Sequence, residues 1–131
     1  MGERGEAAHR HRVLVVEDDH DTREAFAFVA EASGVTASVA ANGLEALEQL
    51  RNGVRPCLIV LDLAMPVMDG FAFRREQMAD PALADLPVAV MSGGGWAAEV
   101  EARKLGITMF LRKPVEPEQL ASVFTAHCAG E

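Results

Sequence analysis

The residues that could do chemistry in this chain fall into a few short groups. Glu17, Asp18 and Asp19 are contiguous. Asp62 follows the apolar run 57–61, Ser92 follows the run 88–91 and leads into Gly93, Gly94 and Gly95, and Lys113 precedes Pro114. Carboxylates gathered in one place repel one another and are costly unless a hard cation neutralises them. Mg2+ is the natural candidate, because it takes oxygen ligands and keeps several of its waters. A carboxylate, a divalent ion, a lysine and a serine hydroxyl together suit the handling of a phosphoryl group. The ion and the lysine offset its charge, and the carboxylate can act as a nucleophile to form an aspartyl phosphate.

No other motif competes. The sequence has no GxxxxGK[ST] loop, no GxGxxG, no GxSxG and no HExxH. The run of three glycines lacks the Lys and Ser/Thr of a phosphate-cradling loop and reads as a turn. His9 and His11 form a possible metal pair, but two ligands on a polar, unpatterned segment make a poor site and read as solvated histidines. Asp19, Asp21 and Asp69 have a simpler reading as helix caps.

For the groups above to meet, the elements between them must bring them to one place. Val13-Leu14-Val15-Val16 is a β-branched run that reads as a strand buried on both faces. Helical spacing follows over about 20–33, with Phe26, Val29 and Ala30 on one stripe and Gly34 as the stop. Residues 35–40 form a weaker strand. Asn42 and Glu45 form a capping box opening a helix that turns Ala46, Leu47 and Leu50 inward and ends near Gly53. The most hydrophobic strand, 57–61, belongs at the centre. A helix over about 70–79, a strand over 88–91, a helix over about 96–105 closed by Gly106, a strand over 107–111 and a last helix from Pro117 to about 127 complete the series. Five β/α units with short connections predict a parallel sheet with helices on both faces and right-handed crossovers. Ligands of such sheets bind beyond the carboxyl ends of the strands, which is where the acidic groups, Ser92 and Lys113 all fall.

Composition narrows the class further. The 131 residues are 50% hydrophobic and 24% charged, an ordinary globular balance and enough chain for one domain with its own core. The formal net charge is −8, and the acid excess lies wholly outside the first twelve residues. Such a chain is a poor binder of nucleic acid or of an anionic membrane surface. The N-terminus has no apolar segment of a secretory signal, and no apolar run approaches the ~20 residues of a membrane span. The two cysteines, Cys57 and Cys128, read as free thiols of a cytoplasmic protein.

With these residues in place the chain resembles the receiver domain of bacterial two-component response regulators. The resemblance rests on VLVVEDD at 13–19, LIVLDLAMPVMDG at 58–70, VAVMSG at 88–93 and FLRKP at 110–114. It implies a flavodoxin-like (βα)5 fold with a doubly wound parallel five-stranded sheet in the order 2-1-3-4-5. The implied organisation is a flexible N-terminal tail over 1–11, the receiver domain over 12–127, a C-terminal tail over 128–131 and no output domain. It implies Asp62 as phosphoacceptor, with Lys113 and Ser92 as the other catalytic groups. Mg2+ would be held by Glu17, Asp18, Asp62 and the backbone carbonyl of Ala64. Ser92 and Phe110 are the implied switch pair, and the Lys113–Pro114 peptide is expected to be cis.

The partners that follow are a histidine kinase as phosphodonor and an output protein, with the chain a monomer or a phosphorylation-dependent dimer. The protein-binding surface that switches is expected on the fourth helix, fifth strand and fifth helix, where Trp96 is a candidate anchor. In this reading the domain promotes its own phosphotransfer and dephosphorylation and is not a multiple-turnover enzyme. Two rivals are a docking adaptor that works without phosphorylation and a Mg2+-dependent phosphohydrolase. The second lacks an acid two residues after its nucleophile, where this chain has Ala64.

Overall fold

The computed structural model describes residues 11–93 and 95–128. Of the expected tails over 1–11 and 128–131, residues 1–10, with His9, and 129–131 lie outside the described residues, as does Gly94. Five strands, β1 (Arg12–Val16), β2 (Thr36–Ala40), β3 (Leu58–Asp62), β4 (Val88–Ser92) and β5 (Met109–Arg112), alternate with five helices. These are α1 (His20–Ala32), α2 (Gly43–Arg51), α3 (Gly70–Ala79), α4 (Trp96–Lys104) and α5 (Pro117–Cys128). All strand pairs are parallel, as the alternation predicts, and the order is β2-β1-β3-β4-β5, as the resemblance implies. Several boundaries differ from the expected ones by a residue or two: β1 begins at Arg12, β3 includes Asp62 itself, β4 includes Ser92, β5 runs over Met109–Arg112 and α5 runs through Cys128.

Alternation along the strands divides the core. Leu14, Val16, Ile59, Leu61, Val88 and Val90 face α2, α3 and α4, packing with Leu47, Leu50, Phe73 and Ala102. Val13, Val15, Leu58, Val60, Ala89 and Met91 face α1 and α5, packing with Ala30, Leu120 and Phe124. Every residue of β3 and β4 is buried, which is what a strand covered on both faces requires.

The helix starts are set locally. Asp19, Asn42 and Asp69 each accept a hydrogen bond from a backbone N–H in the first turn of the helix they precede. The Glu45 carboxylate reaches back to the N–H of Ala41, one residue before the cap. Two glycines allow backbone to meet backbone. A Cβ on Gly43 would lie 2.8 Å from the Met68 carbonyl oxygen, and one on Gly70 would lie 2.7 Å from that of Asp62. The start of α3 is thereby pressed against the end of β3.

A buried polar network crosses the α3–α4 side. Arg74 donates to the Leu105 carbonyl and to Gln77, and Gln77 donates to the carbonyls of Leu83 and Leu86. The network ties α3 to the C-terminal end of α4, where a cation is favourable.

The reading of the cysteines as free thiols is corrected here: Cys57 and Cys128 are joined by a disulfide, with their Cα atoms 5.5 Å apart. The two residues are 71 apart in sequence, and only the packing of α5 beside the start of β3 brings them together.

Two substitutions test this packing by urea denaturation. Gly70→Ala is expected to cost about 1–3 kcal/mol, because the new methyl meets backbone that cannot yield like a side chain. An undiminished midpoint would show that α3 does not rest on Asp62. Val67, in the turn before α3, has φ of 69° and is exposed, a backbone region that costs a β-branched residue roughly 1–2 kcal/mol. Val67→Gly is expected to raise stability by up to about that amount, and a fall would contradict the strain.

Candidate functional site

The carboxyl ends of β1, β3, β4 and β5 meet at one edge of the sheet. The register pairs Val16 with Leu61, Asp62 with Met91, and Ser92 with Arg112. The residues just past these pairs are therefore neighbours in space. Carboxylate oxygens of Glu17, Asp18 and Asp62 all lie within 4.8 Å of one another. Asp62 and Glu17 are buried, while Asp18 faces solvent.

Lys113 completes the group. Its Nζ lies 2.7 Å from Asp62 Oδ1, and its backbone N–H donates to the Ser92 carbonyl. The Lys113–Pro114 peptide is cis, as expected. The Ala64 N–H donates to Asp62 Oδ1 at 3.2 Å. Above Asp62 a small cavity of about 170 Å3 is lined by Ala64, Ser92, Gly93, Ala98 and Lys113. A wider groove of about 790 Å3 opens beside it between α1 and the turn after β5, with Phe26, Met91, Pro114 and Val115 along its apolar floor and Glu17, Asp21 and Lys113 at its polar edge.

Burial pushes the Glu17 carboxyl up to about 7, and the neighbouring Asp62 and Asp18 charges add to the rise. The Asp19 N–H and the Lys113 ammonium oppose it. The Glu17 carboxylate accepts the Asp19 N–H at 2.9 Å, which folds the acidic turn onto itself. Asp19 turns away to cap α1, and its carboxyl is held below the usual range by the Thr22 hydroxyl and N–H.

The remaining expected residues fall as follows. Ser92 is buried at the end of β4 and lines the cavity with Asp62. Phe110 is half-buried on β5, outside that cavity, and packs on the α2–α3–α4 side of the core. Trp96 is 77% exposed at the first position of α4.

Several contacts here escape the sequence reading. The Arg23 guanidinium donates to the Glu17 carbonyl at 2.9 Å and holds the acidic turn from behind. A cation in the first turn of a helix opposes the helix dipole, and an arginine placed there after an acidic run is the signal that marks it. The Arg103 guanidinium sits 4.6 Å from the centre of the Phe110 ring, and Arg112 pairs with Glu99 at 3.2 Å. Both contacts join α4 to β5, and neither has a local sequence signature.

Comparison with known proteins agrees with this fold. The response regulator receiver domain family matches residues 13–125. An uncharacterised 14.6 kDa protein of Leptolyngbya boryana is 36% identical over 119 residues, covering 88% of each chain. Response regulator Rre1 of Synechocystis is 29% identical over 85% of this chain, which spans 48% of the Rre1 length. The sensor histidine kinase CheAY of Helicobacter pylori is 34% identical over 85% of this chain, which spans 14% of the kinase's length. Among solved structures, a response regulator of Chloroflexus aurantiacus superposes with a TM-score of 0.82 at 28% identity, covering 91% of this chain and 98% of the other. The chemotaxis response regulator CheY4 of Vibrio cholerae gives 0.80 at 28% identity, covering 88% and 96%. The chain belongs to the receiver domain family of two-component response regulators, a family of signalling modules. No helix among the described residues is long and apolar enough to cross a membrane.

The raised Glu17 carboxyl makes stability depend on pH. Between its ordinary value of 4.5 and about 7 the folded protein binds more protons at Glu17 than the unfolded chain does, so stability falls as pH rises through that window. In the absence of divalent ions this fall is expected to be on the order of 3 kcal/mol, and Glu17→Gln should remove it. Denaturation midpoints from pH 4.5 to 8 measure it, and parallel pH profiles for the two proteins would refute the assignment.

Proposed function

We propose that Asp62 accepts a phosphoryl group from the phosphohistidine of a partner histidine kinase, in a Mg2+-dependent reaction, and that this switches a protein-binding surface. The observation that carries the reading is the Lys113 ammonium 2.7 Å from a buried Asp62 carboxylate that shares one cluster with Glu17 and Asp18. Family membership supports it, and the intact cluster disfavours a docking adaptor that dispenses with phosphorylation.

The donor set fits the metal. Three carboxylates within reach of one another are a hard-oxygen site with room for water ligands, as Mg2+ prefers. Glu17, Asp18, Asp62 and the Ala64 carbonyl would hold it. When bound, Mg2+ neutralises charge that the acidic cluster and a phosphoryl group would otherwise set against each other. The Asp62 oxygen attacks phosphorus, the O–P bond forms as the N–P bond to the imidazole breaks, and the histidine leaves with its electron pair. Lys113 follows the charge from the carboxylate to the phosphoryl oxygens. Ser92, across the cavity, donates its hydroxyl to a phosphoryl oxygen. The groove between α1 and the turn after β5 gives the donor side chain access.

Phosphorylation adds roughly 1.5–2 negative charges. Drawing Ser92 and Lys113 toward them moves the ends of β4 and β5 and biases a two-state surface. Phe110 has no hydroxyl, so it moves by packing alone. Because Arg103 of α4 covers its ring, that movement is felt by α4, and the readout lies on α4, β5 and α5 with exposed Trp96 at its margin. The output is a protein–protein contact made by a monomer or by a phosphorylation-dependent dimer. The domain promotes its own phosphotransfer and dephosphorylation without turning over as an enzyme.

Incubation with acetyl phosphate and Mg2+ is expected to give one acid-stable, base-labile phosphoryl group per chain, and Asp62→Asn should abolish it while the fold persists. Stoichiometric labelling of folded Asp62→Asn would overturn the assignment. Asp18→Ala should weaken Mg2+ binding at least tenfold, and wild-type affinity should rise from pH 6 to 8 as Glu17 loses its proton. Calorimetry reads both, and an Asp18→Ala protein with full affinity would remove Asp18 from the site.

A further inference from the structure

We propose that Cys57 and Cys128 form a reversible thiol–disulfide exchange site for small thiols and disulfides of the glutathione type, and that its state sets how firmly the last turn of α5 is held. The site stands apart from the reading of Asp62. Cys57 immediately precedes the first residue of β3 and Asp62 is the last, so the strand separates them by roughly 16 Å at its ordinary rise.

Three observations carry the proposal. The backbone separation of 5.5 Å lies at the usual value for a disulfide, so the bond forms without moving the chain. The two ends differ in access: Cys57 is half-buried in the connection before β3, whereas Cys128 is buried at 3% exposure. An incoming thiolate therefore meets the Cys57 sulfur and expels Cys128. Finally, Cys57 Sγ lies 3.0 Å from the Arg12 carbonyl oxygen, so a reduced Cys57 has an acceptor for its S–H without leaving its place. The sulfur at the β3 end thus fits both states, and reduction releases only the α5 end.

The exchange balances in two steps. A small thiolate attacks the Cys57 sulfur, forming a mixed disulfide as the Cys57–Cys128 bond breaks, and Cys128 leaves as a thiolate that takes up a proton. A second small thiolate attacks the small-molecule sulfur of the mixed disulfide, and Cys57 leaves and is protonated. Two small thiols are oxidised to one small disulfide, and the protein disulfide is reduced to two thiols. Phe124 and Leu120, fully buried one and two turns earlier on the same stripe, keep the body of α5 docked, so the consequence is confined to its end.

The test uses the full chain in a series of reduced and oxidised glutathione ratios without denaturant. Trapping with N-ethylmaleimide and intact mass reads the thiol state, and hydrogen exchange reads peptides spanning 117–128 and 58–62. The expected result is a transition from unalkylated to doubly alkylated protein inside the series. Amide exchange in the last turn of α5 should quicken about tenfold on reduction, with 58–62 unchanged. Cys128→Ala and Cys57→Ala should each show the faster exchange whatever the ratio. A bond that persists in reduced glutathione, cysteines that stay fully alkylated in oxidised glutathione, or equal exchange in both states would each overturn the proposal.

Discussion

The ion pair between Lys113 and Asp62 is the interaction around which the rest is arranged. A carboxylate buried at the end of a central strand, with two more carboxylates near it, is costly unless cations and N–H groups compensate. Lys113 at 2.7 Å and the Ala64 N–H at 3.2 Å provide that compensation. Lys113 reaches Asp62 because its own backbone is tied to the end of β4 at Ser92. The side chain that offsets the buried charge and the strand that carries it are thus one unit, and a change of charge at Asp62 bears directly on β4 and β5.

The supporting scaffold is unevenly held. The C-terminal end of α4 is fastened by Arg74 through the Leu105 carbonyl, and Arg74 is itself braced by Gln77. Its first turn follows Gly95 and has no side-chain cap, and Trp96 there is exposed. Between the two ends, Glu99 and Arg103 bridge to Arg112 and Phe110 of β5. The helix is thus fastened at one end and joined to β5 along its length, and its uncapped end lies beside the site.

The acidic turn after β1 is maintained differently. Glu17 accepts the Asp19 N–H, Asp19 caps α1, and Arg23 returns from that helix to the Glu17 carbonyl. Each member fixes another, so the Glu17 and Asp18 carboxylates are presented by backbone that is already constrained. Holding Glu17 buried beside like charges raises its carboxyl toward neutrality, which makes the cluster responsive to any cation that enters.

Local pattern was enough to read most of the architecture from the residues alone. The apolar runs, the caps at Asp19, Asn42 and Asp69, and the stops at Gly34 and Gly106 are short-range signals, and the alternation of strands and helices forces a parallel sheet. That sheet then brings every strand end to one edge, so Glu17, Asp18, Asp62, Ser92 and Lys113 were legible as a group before any distance was known. The contacts decided only by tertiary structure are those whose partners carry no period and no fixed spacing. Arg103 finds Phe110 and Arg74 finds Leu105 because α4 lies where it does, and Cys57 meets Cys128 across 71 residues because α5 packs beside the start of β3. Composition pointed toward free thiols, since it counts cysteines without knowing which ends of the sheet they occupy. Their bond follows from the distance between two backbones, a quantity that exists only once the chain is folded.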